Sequence, residues 1–302
     1  MTDTPYHIPA LLPQALQGLD IREDGTYVDV TFGGGGHSRA ILELLFPSGH
    51  LYAFDQDADA VANAPADTRF TMVRSNFRYL ANFMRYYGVE AVDGILADLG
   101  VSFHHFDDAD RGFSFRADGP LDMRMNRDAA FTAAEFLNTA TTERIADALR
   151  IYGELRDARR FAAAIDKARN RNPLTTVNDL LEAVRPLVDP RREKKDLACV
   201  FQALRITVND EMGALRDLLE ASLKMTRPGS RIAIITYHSL EDRMVKNFLR
   251  TGNVEGHRIT DLYGRADSPW RTVNSKPITP DAAEVERNPR SRSAKLRIAE
   301  RV

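Results

Sequence analysis

Tyr27-Val-Asp-Val-Thr-Phe-Gly-Gly-Gly-Gly-His-Ser38 decides how this chain folds. Tyr27 to Phe32 is apolar and β-branched with one acid, the pattern of a short buried strand. Four glycines follow, and Ser38-Arg-Ala-Ile-Leu-Glu-Leu-Leu45 spaces its apolar residues as a helix does. A strand turning through glycine into a helix lets backbone approach a ligand closely and points N–H groups at it. The dinucleotide fingerprint, Gly-x-G-x-x-Gly or a final Ala, fits neither register. Its sixth position is Ser38 counted from Gly33 and Arg39 counted from Gly34. What fits is Asp29-x-x-x-Gly33-x-Gly35, an acid four residues ahead of the first glycine. Such an acid suits a cation and repels a pyrophosphate. S-Adenosylmethionine carries an α-ammonium, a sulfonium and no phosphate.

Working outward, His50 to Asp55 is a second predicted strand, ending in a carboxylate 26 residues after Asp29 and placed to accept both ribose hydroxyls. Arg69 to Arg74 is the third. Asn76, Phe77 and Arg78 follow it where an adenine would lie, and the Phe77 ring could stack there. Ala91 to Asp98 is the fourth and again ends in an acid. Ligands of open α/β sheets sit at the carboxyl ends of the strands, where these acids converge. Arg231 to Tyr237 is the fifth strand, followed by Ser239-Leu-Glu-Asp242 as a capping box with Asp at its third helical position. Trp270–Asn274 and Ser293–Arg301 alternate as a closing antiparallel hairpin, which makes seven strands. Before the first strand, residues 6–16 read as a short amphipathic helix starting near Pro9, with His7 as a cap. Residues 57–64 read as a helix stopped by Pro65.

Residues 107–200 interrupt the sheet pattern. Arg111–Phe115 and Asp118–Met125 are turn-rich, and helices are expected over 132–137, 142–152, 156–169 and 176–188. This predicts an inserted all-helical domain for substrate recognition at 107–200, with 1–106 and 201–302 forming the sheet domain. Residues 150–195 hold twelve Lys/Arg against seven Asp/Glu, and 285–302 hold six against two. In a chain of formal net charge −2, two such basic stretches, the second with Arg287, Arg290 and Arg292, suit an RNA backbone. A hydrophobic fraction of 43% and a charged fraction of 28% describe a globular chain with ample core. The single cysteine, Cys199, excludes a disulfide framework and a cysteine zinc site. No apolar run approaches the about 18 residues of a membrane span. The prolines at 5, 9 and 13, without a cationic start before an apolar core, are not a signal peptide. A reducing, cytoplasmic setting is expected; oligomeric state stays open, a homodimer included.

Seven blocks carry a resemblance: residues 29–38, Asp98-Leu-Gly-Val-Ser102, 110–115, 118–125, Phe201-Gln-Ala-Leu-Arg-Ile206, His238-Ser-Leu-Glu-Asp-Arg243 and 288–297. Nearly end to end, the chain resembles the ribosomal RNA small subunit methyltransferase H family. The resemblance implies a class I S-adenosylmethionine-dependent methyltransferase fold, Rossmann-like with a seven-stranded sheet and a helical insert. It implies S-adenosylmethionine as cofactor and N4-methylation of a cytidine in the decoding region of 16S rRNA, with the small ribosomal subunit as partner. It places Gly34, Gly35, Gly36 and His37 against the cofactor, Asp55 on the ribose, Phe77 by the adenine and Asp98 at the pocket floor. After Ser102 the family usually continues Ser, Pro or His, then a cofactor-touching Gln. Here those positions are Phe103, His104 and His105, so that contact passes to His105, an imidazole with a pH-dependent charge.

Cytosine N4 is a poor nucleophile because its lone pair is delocalised into the ring. An acceptor for one N–H favours that lone pair, and Asp98 is the first candidate, with His238, Asn76 or Asn209 supplying further contacts. Two rival readings are an NAD-type oxidoreductase, opposed by the broken glycine fingerprint, and a non-catalytic RNA-binding assembly factor, opposed by the complete set of strand-end acids.

Overall fold

The computed structural model describes residues 9–101, 106–258 and 268–302. The chain divides into two compact units, residues 1–100 with 213–302, and residues 101–212.

The first unit is a seven-stranded sheet. In chain order the strands are β1 (Thr26–Asp29), β2 (His50–Asp55), β3 (Phe70–Arg74), β4 (Val92–Asp98), β5 (Thr226–Thr236), β6 (Trp270–Thr272) and β7 (Lys295–Arg301). They lie in the order β3-β2-β1-β4-β5-β7-β6; the first five are parallel, β7 is antiparallel to β5, and β6 is antiparallel to β7. The central strands are runs of fully buried residues such as Val28, Leu51, Ile95, Leu96, Ile232 and Ile234, as strands covered on both faces must be. Helices α1 (Leu12–Leu19), α2 (Gly36–Leu44), α3 (Ala58–Val61) and α4 (Leu80–Tyr86) connect or flank the first four strands.

Several boundaries differ from expectation. β1 stops at Asp29 instead of Phe32; beyond it the ladder survives only as Val30 N–H to Leu96 O (2.9 Å) and Phe32 N–H to Phe54 O (2.9 Å). The backbone is already leaving the sheet to enter the glycine turn. α1 begins at Leu12, because Leu11 sits at φ 53° and Pro13 suits only the first turn. β5 begins five residues early, with its register shifted between Val92 and Gly94. β6 and β7 pair as expected but not through a tight hairpin, since a helix (Ala282–Arg287) lies between them.

The second unit is helical, with α5 (Ala133–Thr139), α6 (Thr142–Ile151), α7 (Ala158–Arg169), α8 (Val177–Val184) and α9 (Glu193–Asn209). Each of α5, α6 and α8 is capped by a threonine (Thr132, Thr141 and Thr176) whose hydroxyl accepts an amide of the first turn. Their apolar faces share one core with Phe113, Leu121 and Met123. Residue 200, where the sequence places the domain boundary, falls inside α9, whose Val200, Phe201 and Leu204 belong to this core. No helix among the described residues is long and apolar enough to cross a membrane.

Candidate active site

At the carboxyl ends of β1, β2, β4 and β5 the sheet unit gathers a glycine turn, three aspartates, a histidine and a tyrosine. Gly33 and Gly35 take left-handed φ of 52° and 76°, which aim the chain from β1 into α2. A Cβ on Gly35 would stand 2.7 Å from the Phe32 ring, so only glycine fits there. Asp55, at the end of β2, braces this turn by accepting the N–H of Gly33 (2.8 Å) and of Asp57 (2.9 Å). Asn76 Nδ2 donates to Gln56 Oε1 (3.2 Å), tying the end of β3 to that of β2, with half-buried Phe77 next in the chain.

Asp29 does not face a ligand as its position in the sequence suggests. It is 1% exposed and accepts from Ser38 Oγ (2.6 Å) and Thr31 N–H (3.1 Å), so it clamps the start of α2 onto β1. Burial raises its pKa against those hydrogen bonds.

Asp98 is the open acid. Its N–H donates to Thr31 Oγ1 (2.6 Å), its Oδ1 accepts from the Tyr237 hydroxyl (2.8 Å), and its Oδ2 lies 3.7 Å from His37 Nδ1. The last distance is too long for a hydrogen bond. His37 Nε2 stands 3.1 Å from the Ala10 carbonyl, an acceptor only, which assigns the proton to Nε2. Burial pushes the Asp98 carboxyl up to about 7, and the charges of Asp29 and Glu241 push the same way, while the Tyr237 hydrogen bond opposes them. Burial and the Asp98 charge together keep Tyr237 a phenol far above neutral pH.

His238 caps the helix Ser239–Thr251, one residue earlier than expected. Its Nδ1 accepts the Glu241 N–H (3.4 Å), and Glu241 Oε2 accepts the N–H of Tyr237 (3.0 Å) and His238 (3.4 Å). The third helical position is therefore Glu241, a better capping partner than Asp242. His238 Nε2 is buried and lies 3.1 Å from Glu241 Oε1 without hydrogen-bonding geometry.

The sequence reading gave Thr31, Tyr237 and Glu241 no role at the site. Tyr237 could have been found from strand order alone, because Asp98 pairs with Ile235 in a parallel register that leaves residue 237 level with the carboxyl end of β4. Asn209 belongs to the helical unit, where its amide holds the backbone of Met123 (2.8 Å) and Met125 (2.7 Å). His105, with Phe103, His104 and His7, lies outside the described residues.

The family model described as the MraW methylase family matches residues 4–302. The chain belongs to the MraW methylase family. It is 62% identical over 301 residues to ribosomal RNA small subunit methyltransferase H of Parabacteroides distasonis, with 99% of each chain covered. To the protein of the same name from Bacteroides thetaiotaomicron it is 60% identical over 296 residues, covering 98% and 97%. This MraW methylase has the class I α/β fold expected from the sequence and takes its methyl group from S-adenosylmethionine, which supplies an electrophilic methyl on a sulfonium. The site suits that donor. Asp98 is largely buried with the His37 imidazole 3.7 Å away, and a positively charged ligand would offset the burial that raises its pKa. Asp55 holds the glycine turn through the Gly33 N–H, and Phe77 follows Asn76 at the end of the neighbouring strand β3.

Since the Tyr237 hydroxyl favours the Asp98 carboxylate, Tyr237→Phe is expected to move the acidic limb of the kcat/KM profile to higher pH, by on the order of one unit. A profile measured across pH 5.5–9 that does not move would show that this hydrogen bond leaves the essential group untouched.

Proposed function

We propose that this MraW methylase methylates N4 of one cytidine in the decoding region of 16S rRNA, acting in the cytoplasm on the small ribosomal subunit. The relatives' shared name supports a small-subunit rRNA substrate. The observation that carries the choice of nitrogen is Asp98, an acid level with the strand ends and poised near neutrality. Asp98 accepts an N–H of the exocyclic amine, which frees the nitrogen lone pair, and takes the proton that the amine must shed after it gains a methyl group. Orientation supplies much of the rest, since the amine need only be held in line with the donor's methyl.

Methylation of pyrimidine carbon 5 normally needs a cysteine thiolate. The single cysteine sits in α9 of the helical unit, where burial raises its thiol pKa and keeps it protonated. Amine methylation needs no such nucleophile. We assign the helical unit to recognition of RNA: of the twelve Lys/Arg between 150 and 195, all but Arg169 are exposed. Arg290 and Arg292 add exposed charge on the sheet unit. The target base must leave its stack to reach such a crevice, so distorted or single-stranded RNA is the expected form. Mass-spectrometric nucleoside analysis of 16S rRNA, from cells with and without this protein, tests the assignment. N4-methylcytidine should vanish with the protein; its persistence, or loss of a carbon-methylated base instead, contradicts it.

A further inference from the structure

Residues 74–88 read Arg-Ser-Asn-Phe-Arg-Tyr-Leu-Ala-Asn-Phe-Met-Arg-Tyr-Tyr-Gly, with three arginines, three tyrosines and no acid, in a chain of net charge −2. The stretch leaves the carboxyl end of β3, turns at Phe77–Tyr79 and returns as α4. Leu80 and Met84 are fully buried, and Phe83 packs edge-on against Phe54 (5.8 Å, 80°). This turns the opposite face outward. It carries Tyr79 at 51% and Tyr86 at 80% exposure, together with exposed Asn82 and Arg85. The Arg-Tyr pairs 78–79 and 85–86 stand seven residues apart, two helical turns or roughly 10 Å, and so share that face. Arg78, beside Tyr79, is anchored by Asp217 (2.8 Å), and Tyr86 meets Tyr87 edge-on (5.2 Å, 78°), which itself leans on Tyr52 (5.2 Å).

We infer that this face of α4 binds single-stranded RNA flanking the target base, with Tyr79 and Tyr86 stacking on bases and Arg85 meeting phosphate. The inference rests on the rRNA substrate proposed above. The exposed charge of Arg85 complements a phosphate backbone, and exposed tyrosines offer stacking platforms that accept any base. The position agrees, because the same stretch begins at Asn76, whose amide is tied to Gln56 beside Asp55. A second copy of the chain is the other occupant such a surface could take, and a stretch with three arginines and no acid of its own disfavours pairing with itself.

The test uses the full chain, a fluorescein-labelled single-stranded RNA dodecamer and purified small subunits. Tyr79→Ala with Tyr86→Ala should weaken dodecamer binding by about tenfold or more. It should raise KM for subunits while kcat and the affinity for S-adenosylmethionine stay put. Tyr86→Phe should bind within about twofold of the unaltered protein, since a phenyl ring still stacks. Tyr86→Ala alone, at a position too exposed to disturb folding, gives the same reading at smaller amplitude. Dodecamer affinity and subunit KM unchanged in both alanine variants would overturn the inference. So would sedimentation velocity showing a dimer that Tyr86→Ala splits, which would make the face an interface between copies. If the unaltered protein transfers no methyl to subunits, the rRNA reading itself fails, and dodecamer binding still decides what this face does.

Discussion

Asp98→Asn should lower kcat for methyl transfer by about a hundredfold or more while weakening S-adenosylmethionine binding by much less. The amide still accepts the Tyr237 hydroxyl that now bonds Oδ1 at 2.8 Å, so the geometry stays, but it cannot take a proton. Equal losses in kcat and donor affinity would reassign Asp98 to cofactor binding alone. The same variant should be more stable than the unaltered protein above pH 7. Burial lifts the folded-state pKa to about 7, whereas an aspartate in the unfolded chain titrates near 4. Between those values the native state keeps a proton that the unfolded chain has released, so stability falls as pH rises through the window. Asparagine removes that slope, and the gain above pH 7 is on the order of a few kcal/mol. A site that is costly to the fold and essential to the reaction shows that pattern.

Gly112→Ala should cost about 3 kcal/mol or more and loosen the helical unit. Gly112 has φ 68°, and a Cβ there would stand 2.3 Å from the Pro120 carbonyl oxygen and 2.9 Å from the Asp122 nitrogen, both backbone atoms that cannot swing aside. The knot around it is closed by its neighbour. Arg111 is 1% exposed and donates through Nη2 to the carbonyls of Arg124 and Met125 (3.1 Å each), while its own carbonyl accepts the Met123 N–H (3.0 Å). Urea titration followed by circular dichroism reads the loss directly; a drop of less than about 1 kcal/mol would mean the loop relaxes at little cost.

The segment 110–125 illustrates what the sequence could and could not convey. Its motif is specific enough to mark the family, yet its mixture of aromatics and charges looked like a loop. Buried Arg111 and left-handed Gly112 prove to pack on the backbone of residues 120–125 through contacts that no periodicity reveals. The strand-end positions of Asp55 and Asp98 were legible because apolar runs of six and seven residues end on them. Asp29 was misread because spacing locates a residue along the chain but does not show that Ser38, nine residues on, folds back over it. Tyr237 and Thr31 reach Asp98 across neighbouring strands, 139 and 67 residues away, and only strand order brings them together. The helix cap was missed by one residue because histidine is an unusual N-cap, outside the Ser, Thr, Asp and Asn that mark such starts.

The central claim is that a carboxylate whose pKa is raised by burial selects a cationic methyl donor. Calorimetric titration with S-adenosylmethionine at pH 6.5, in two buffers of different ionisation enthalpy, tests it most directly. The cation should displace the proton held by Asp98, so the unaltered protein should release roughly half a proton or more per site beyond what Asp98→Asn releases. NAD under the same conditions should not bind. Identical proton release from the two proteins, or binding of NAD as tight as that of the donor, would contradict the account.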